Sequence, residues 1–162
     1  MWYLEYPEWS AWLLTQTSEI AIKALIFLEC RGEGKPVAPR EIARQMGASP
    51  TYLAKVMGQL VKAGILRSQR GPQGGMMLAR PPGEITLRQI VEATQGLIVP
   101  DYCQAIGDAL GPVCGFHRAM WEVRRNMLET MERWTLAELT AEPTPTGELA
   151  GNPACQMAFL DT

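Results

Sequence analysis

The sequence predicts a mainly α (α+β) fold, a winged helix-turn-helix DNA-binding domain followed by a long C-terminal dimerisation helix. Three observations predict it. Three short helical patterns stand in a row, the third opened by Ser49-Pro50 and closed by Gly64. A glycine-rich basic hairpin, Arg70-Gly71-Pro72-Gln73-Gly74-Gly75, follows between two apolar runs. Residues 31–80 hold nine Lys/Arg and two acids, a local balance of +7, while the 162-residue chain carries −2 in total and therefore −9 elsewhere. A chain that concentrates positive charge on one small module presents that module to a polyanion, and the helix-turn-helix pattern makes duplex DNA that polyanion.

Each element has its own signal. Residues 1–13 form an aromatic N-terminal arm with Trp2, Tyr3, Tyr6, Trp9 and Trp12. The last four are spaced by three, roughly one helical face, and read as an arm packed on the body or on a partner subunit. Ser18 is the expected cap of the first helix, with Ile20, Ala21, Ala24, Leu25 and Leu28 inward. Cys30 falls in the same helix and is expected in the core. Pro36-Val37 suggests a short strand. Pro39 opens the second helix, Ile42 and Met46 face inward, and Gly47 stops it. The third helix is capped by Ser49, carries Pro50 at its first position, and has Leu53, Val56, Met57, Leu60 and Val61 at helical spacing.

Ile65–Gln69 and Met76–Ala79 read as the two strands of the wing, and Thr86 caps a fourth helix through Leu87, Ile90 and Val91. The DNA-binding domain is thus expected over residues 14–97. A sensor loop is expected over 98–113 and a dimerisation helix over 114–140. From about Cys114 to Trp134, Phe116, Met120, Val123, Met127, Met131 and Trp134 are spaced 4, 3, 4, 4 and 3. That narrow seam, widened by Trp121 and Leu128, suits packing along another long helix, and its copy in a second subunit would make a homodimer. Residues 141–162, with Pro143, Pro145 and Pro153, read as a flexible tail.

Composition bounds the function. No apolar run is long enough to span a bilayer, and the start Met1-Trp2-Tyr3-Leu4-Glu5 lacks the basic opening of a secretory signal. A cytoplasmic protein with no membrane partner is expected. In that reducing compartment, Cys30, Cys103, Cys114 and Cys155 are poor disulfide candidates, and metal binding or redox sensing is the better use for some of them. The chain has one histidine, no nucleophile with a plausible base and no Walker-type loop, so an enzyme is not expected.

The docking expectation follows from these segments. The third helix enters the major groove with its solvent-facing N-terminal residues, Thr51, Tyr52, Ala54 and Lys55. Thr51 reaches a base edge or a phosphate, and Lys55 a guanine or a phosphate. Tyr52 divides between core and backbone contact. Ser49 and the helix amides hold a phosphate. In the wing, Gly71, Gly74 and Gly75 remove side-chain bulk so that the backbone can approach the duplex, and Arg70 contacts the minor groove or a phosphate. A two-fold dimer implies a near-palindromic operator.

From about Leu14 to Leu139 the chain resembles the IscR/NsrR-type iron–sulfur winged-helix transcriptional regulators. The resemblance is carried by Leu14-Thr15, Glu19 to Leu25, Ser49 to Leu53, Leu60 to Leu66, Arg70 to Gly75 and Leu78 to Leu87, then by Cys114-Gly115-Phe116-His117, Trp121 and Thr135 to Leu139 closing the long helix. It implies a DNA-binding regulator, repressors among them, whose operator affinity is switched by a cluster sensing redox state, nitric oxide or iron–sulfur status. It also implies ligands within 98–117 and a fourth donor, a histidine placed like His117 or a carboxylate placed like Glu19 from the partner subunit. The middle cysteine of the pattern is missing here, and Asp108 is the nearest substitute by position. The expected ligand set is Cys103, Cys114, His117 and Glu19, with Asp108 in reserve. Two thiolates with nitrogen and oxygen favour 2Fe–2S over 4Fe–4S. A cluster-free regulator stays open, using a Cys103/Cys114 thiol switch or a partner protein as its signal.

Overall fold

The computed structural model describes residues 14–32, 34–71, 73–96 and 114–141. The aromatic arm, the sensor loop and the tail from residue 142 lie outside the described residues. In chain order the elements are α1 (Gln16–Gly32), α2 (Pro39–Gln45), α3 (Pro50–Lys62), β1 (Leu66–Gln69), β2 (Gly75–Leu78), a 3-10 turn (Pro82–Glu84), α4 (Leu87–Gln95), α5 (Gly115–Arg133) and α6 (Leu136–Ala141).

The core forms around α1. Ala21, Ala24 and Leu25 are fully buried, and Ile26, Phe27 and Leu28 nearly so. The two alanines let neighbouring helices come close. α1 packs against α2, α3, β2, α4 and α6. Ile42 of α2, Leu53, Val56 and Leu60 of α3, Ile65, Ile85 and Ile90 complete the same cluster. Each fully buried side chain of this size contributes about 1.5–3 kcal/mol.

Most helix boundaries follow their local signals. Pro39 opens α2, and Gly47 beyond its end has φ +59°. Gly64, after α3, has φ +68°. Thr86 and Gln89 form a reciprocal capping box, each backbone N–H bonded to the other's side chain at 3.3 Å.

Four expectations need correction. Ser18 is not a cap. The helix starts one turn earlier, Thr15 Oγ1 accepts the Ser18 N–H at 3.3 Å, and the Ser18 side chain is fully buried. Cys30 is exposed. It lies two residues beyond buried Leu28, a rotation of roughly 200° around the helix. Partial burial and then the Glu29 carboxylate push its thiol pKa up. Val61 is 38% exposed, because α3 buries the narrower stripe of Leu53, Val56, Met57 and Leu60 and Val61 lies at its edge.

The fourth correction concerns Thr135–Leu139, which does not close the long helix. α5 stops at Arg133, Thr135 pairs with Thr86 in an extended bridge, and α6 begins afresh. Leu87 N–H donates to Trp134 O at 2.7 Å and Leu136 N–H to Ile85 O at 2.8 Å. Leu136 is fully buried in the core around α1. The chain beyond the long helix therefore completes the N-terminal core.

β1 and β2 are antiparallel, with Leu66 opposite Leu78 and Gln69 opposite Gly75. The expected Pro36-Val37 strand is one bridge, with Val37 and Met76 exchanging N–H···O bonds of 2.9 and 2.8 Å. This bridge runs beside Gly75. A Cβ at Gly75 would overlap the Val37 carbonyl oxygen, whereas a Cβ at Gly83 would meet nothing. Gly75→Ala is expected to destabilise the fold by about 1–3 kcal/mol, and Gly83→Ala to leave it within about 0.5 kcal/mol. Urea unfolding of the two variants checks the contrast.

The start of α6 carries a further testable charge. Glu138 accepts the Thr135 N–H at 2.6 Å and the Thr135 hydroxyl at 2.9 Å, and these bonds, backbone first, hold its pKa below the usual value. A carboxylate with a lowered folded pKa stabilises the fold above its unfolded titration and loses that contribution as pH falls through the folded value. The Tm difference between the unsubstituted chain and Glu138→Gln should be present at neutral pH. It should narrow as pH drops through the carboxylate range near about 4.

Candidate nucleic-acid interface

The interface is built from α3 and the wing. Ser49 has an extended backbone (φ −64°, ψ 143°), and its Oγ accepts the Tyr52 N–H at 3.2 Å. Pro50 at the first helical position lacks the donor that would otherwise go unpaired there. The capped end leaves Ser49, Pro50, Thr51, Ala54 and Lys55 exposed, while Leu53, Val56 and Met57 face the core. Ser49, Thr51 and Lys55 thus lie on the solvent stripe, as expected from their spacing. Tyr52 is half-buried, and its hydroxyl lies 2.8 Å from Thr17 Oγ1 on α1.

In the wing, Arg70 is exposed and Gly71 sits at φ +117°, a conformation that favours glycine. Gly74 and Gly75, expected to admit DNA, also answer a demand of the hairpin itself, because the chain's own backbone lies where their side chains would be. A Cβ at Gly74 would overlap the Gln69 carbonyl oxygen, and the Gly74 N–H donates to Gly71 O at 2.9 Å. Gly75 is buried against Val37. Both glycines close the hairpin and join it to the short strand.

The charges divide in the same way. Lys55, Arg67 and Arg70 are exposed, and among the described residues none forms an ion pair. Their field reaches into solvent. Arg80 turns back on the protein. Its guanidinium donates to Gly64 O at 3.2 Å, Glu84 O at 3.3 Å and Gln89 Oε1 at 3.1 Å. It clamps the end of α3 to the 3-10 turn and α4. Sequence reasoning counted Arg80 as generic positive charge and did not find this clamp, nor Thr17 and Thr94 as partners of α3. No local motif marks such contacts, since each joins separate elements of the fold or a side chain to a backbone carbonyl.

Of the expected metal ligands, Cys103 and Asp108 lie outside the described residues. Cys114 is exposed at the N-cap of α5, where its Sγ accepts the His117 N–H at 3.4 Å. His117 is half-buried, and its Nδ1 is shielded from solvent with no hydrogen-bond partner. Glu19 is half-buried in the first turn of α1. Among the described residues no three His, Cys, Asp or Glu side chains converge as a metal site. The structure brings Cys114 and His117 together and does not bring Glu19 to them within one chain.

Three helices, a hairpin closed by glycine, an exposed capped helix end and unpaired surface cations define a winged helix-turn-helix DNA-binding regulator. The chain belongs to the Rrf2 family, described as an iron-dependent transcriptional regulator, which it matches over residues 14–142. Members of this family are DNA-binding transcriptional regulators, not enzymes. The chain is 31% identical over 129 residues to Protein aau3 of Rhizobium meliloti (strain 1021), covering 78% of this chain and 83% of that protein. Its fold is similar to CymR (YrzC), the global cysteine regulator of B. subtilis, with a TM-score of 0.65, 27% identity, and coverage of 79% and 95% of the two chains. It is also similar to T. potens IscR, with a TM-score of 0.62, 27% identity, and coverage of 84% and 94%. Among the described residues no helix is long and apolar enough to cross a membrane.

Proposed function

We propose that two copies of this chain form a cytoplasmic homodimer on a near-palindromic operator. Residues 14–97 grip the DNA, 98–113 carry the signal and, within 114–140, α5 pairs the subunits while α6 packs on its own core. The observation that carries the reading is the capped α3 with its exposed first turn, followed by a wing whose Arg70 stands free in solvent. Thr51 and Lys55 face the major groove, Ser49 and the α3 amides take a phosphate, and Arg70 takes a phosphate or the minor groove, with Gly71 giving the turn its shape. Half-sites lie about one helical turn apart.

The pairing surface is the expected seam of α5 without Met131, which is buried within its own chain. Phe116 is 62% exposed, Val123 53%, Trp134 42% and Trp121 41%, so apolar area lies along one helix and favours cover by a second copy. Arg125 stacks on the Trp121 ring at 5.2 Å, marking the edge of that strip with charge.

The signal is read at Cys103, Cys114 and His117, with Glu19 supplied from the partner subunit and Asp108 in reserve. The donors that the structure describes suit iron. Cys114 offers an exposed thiol one helical turn from an imidazole nitrogen that has no other partner. The family description and the likeness to IscR support the same reading. A 2Fe–2S cluster, when bound, supplies a redox-active and nitric-oxide-reactive centre. Cys114 and His117 then hold the N-terminal end of α5. The likeness to CymR favours a second reading, in which Cys103 and Cys114 act as a thiol switch without iron.

Two experiments test these readings. Arg70→Ala is expected to weaken operator binding and to reduce the salt slope by about one unit in gel-shift titrations at several salt concentrations. An unchanged slope and affinity removes Arg70 from the interface. Protein purified without oxygen is expected to be coloured, with iron and acid-labile sulfide in equal amounts, and Cys114→Ala to lose both. Colourless, iron-free protein whose operator binding still follows thiol oxidation selects the second reading.

A further inference from the structure

The apolar face of α3 fixes which side points inward, but greasy contacts resist axial sliding and small rotations weakly. Two directional bonds supply what they lack. The Tyr52 hydroxyl meets Thr17 Oγ1 of α1 at 2.8 Å, and Gln59 Nε2 donates to the Thr94 carbonyl near the end of α4 at 3.3 Å. Tyr52 and Gln59 are seven residues apart, hence on one stripe of the helix and about 10 Å apart along its axis.

The two anchors are themselves joined. Gln95 Oε1 accepts the Thr15 N–H at 2.8 Å and the Ser18 hydroxyl at 2.7 Å. Ser18 has one proton, which this bond uses. Thr94 Oγ1, 2.8 Å from Ser18 Oγ, has one proton that it can give to Ser18 or to the Ile90 and Val91 carbonyls, each 3.1 Å away, and the 3.1 Å contact with Thr15 takes its proton from Thr15. Ser18 is fully buried and Thr94 8% exposed. A buried network of this kind stays rigid because any loosened member leaves a polar atom unpaired.

We infer that Thr17 and Gln59 are positioning residues for DNA recognition, and that the Tyr52 hydroxyl serves the same purpose instead of touching DNA. Tyr52 pins the first turn of α3 to α1, Gln59 pins its third turn to α4, and the Ser18-centred junction holds α1 and α4 as one frame. The inference rests on the DNA-binding reading above. The frame sets the depth and rotation with which Thr51 and Lys55 meet base edges, so the pins act on discrimination between sequences more than on gross affinity for the polyanion.

The test uses the full chain and a duplex that the unsubstituted protein selects from random sequence. Thr17→Val and Tyr52→Phe are each expected to lower the preference for that duplex over random duplex by about three- to tenfold. The double variant should lose no more than either single one, because both remove the same bond. Binding to random duplex and the salt slope should stay as they were. Gln59→Met provides a second route. It removes the second pin together with a buried Oε1 that has no partner, so thermal stability should hold while discrimination falls.

The opposite results are distinct. If Tyr52→Phe weakens binding and Thr17→Val does not, the tyrosine hydroxyl contacts DNA and the inference fails. It also fails if the salt slope drops, which indicates a phosphate contact, or if all three variants discriminate normally. Failure of the unsubstituted protein to select any duplex removes the DNA-binding reading itself, before any variant is made.

Discussion

α1 is the constraint on which the rest depends. Its buried stretch from Ala21 to Leu28 is the common floor for the helix-turn-helix, the wing strand β2, α4 and the returning α6. A bulkier residue at Ala21 or Ala24, both without exposed area, would push several of these elements apart at once. The surface that meets DNA therefore owes its shape to a helix that supplies almost none of it. Directional bonds refine what α1 roughs out, through the polar contacts of Thr17, Ser18, Tyr52 and Thr94 at one end and the Arg80 clamp at the other.

The wing shows how one sequence motif can answer to two demands. Glycines beside a basic residue suggest close approach to a phosphate backbone. Here the backbone that comes close belongs to the protein, to Gln69 beside Gly74 and to Val37 beside Gly75. Close packing of backbone at Gly74 and Gly75 leaves the base of the hairpin little room, which favours a preformed presentation of Arg70. DNA recognition and hairpin closure thus select the same residues for different reasons.

Much of the fold was legible in the sequence because its signals are local. Pro39, Ser49-Pro50, Gly64 and the Thr86 cap each act within one helical turn, and the structure places boundaries where they stand. The errors arose where distant chain segments decide. Ser18 looks like a cap until α4 arrives and buries it against Thr94. Thr135-Leu136-Ala137-Glu138 holds a readable capping box, yet the apolar seam before it invited a continuous helix. For the site, exposure of Ser49, Thr51, Lys55 and Arg70 followed from helix spacing and turn chemistry. The partner of Tyr52 and the inward turn of Arg80 depend on tertiary packing, which spacing alone does not encode.

The Thr86–Thr135 bridge has a mechanical consequence. It hinges α5 at its C-terminal end, while Cys114 caps the opposite end, nineteen helical residues away. At 1.5 Å per residue that arm is roughly 28 Å long. A tilt of a few degrees at that end would sweep the cysteine end through more than an ångström while moving the Thr86 bridge very little. The end of the long helix with least leverage is thus the one joined to the Thr86 cap of α4.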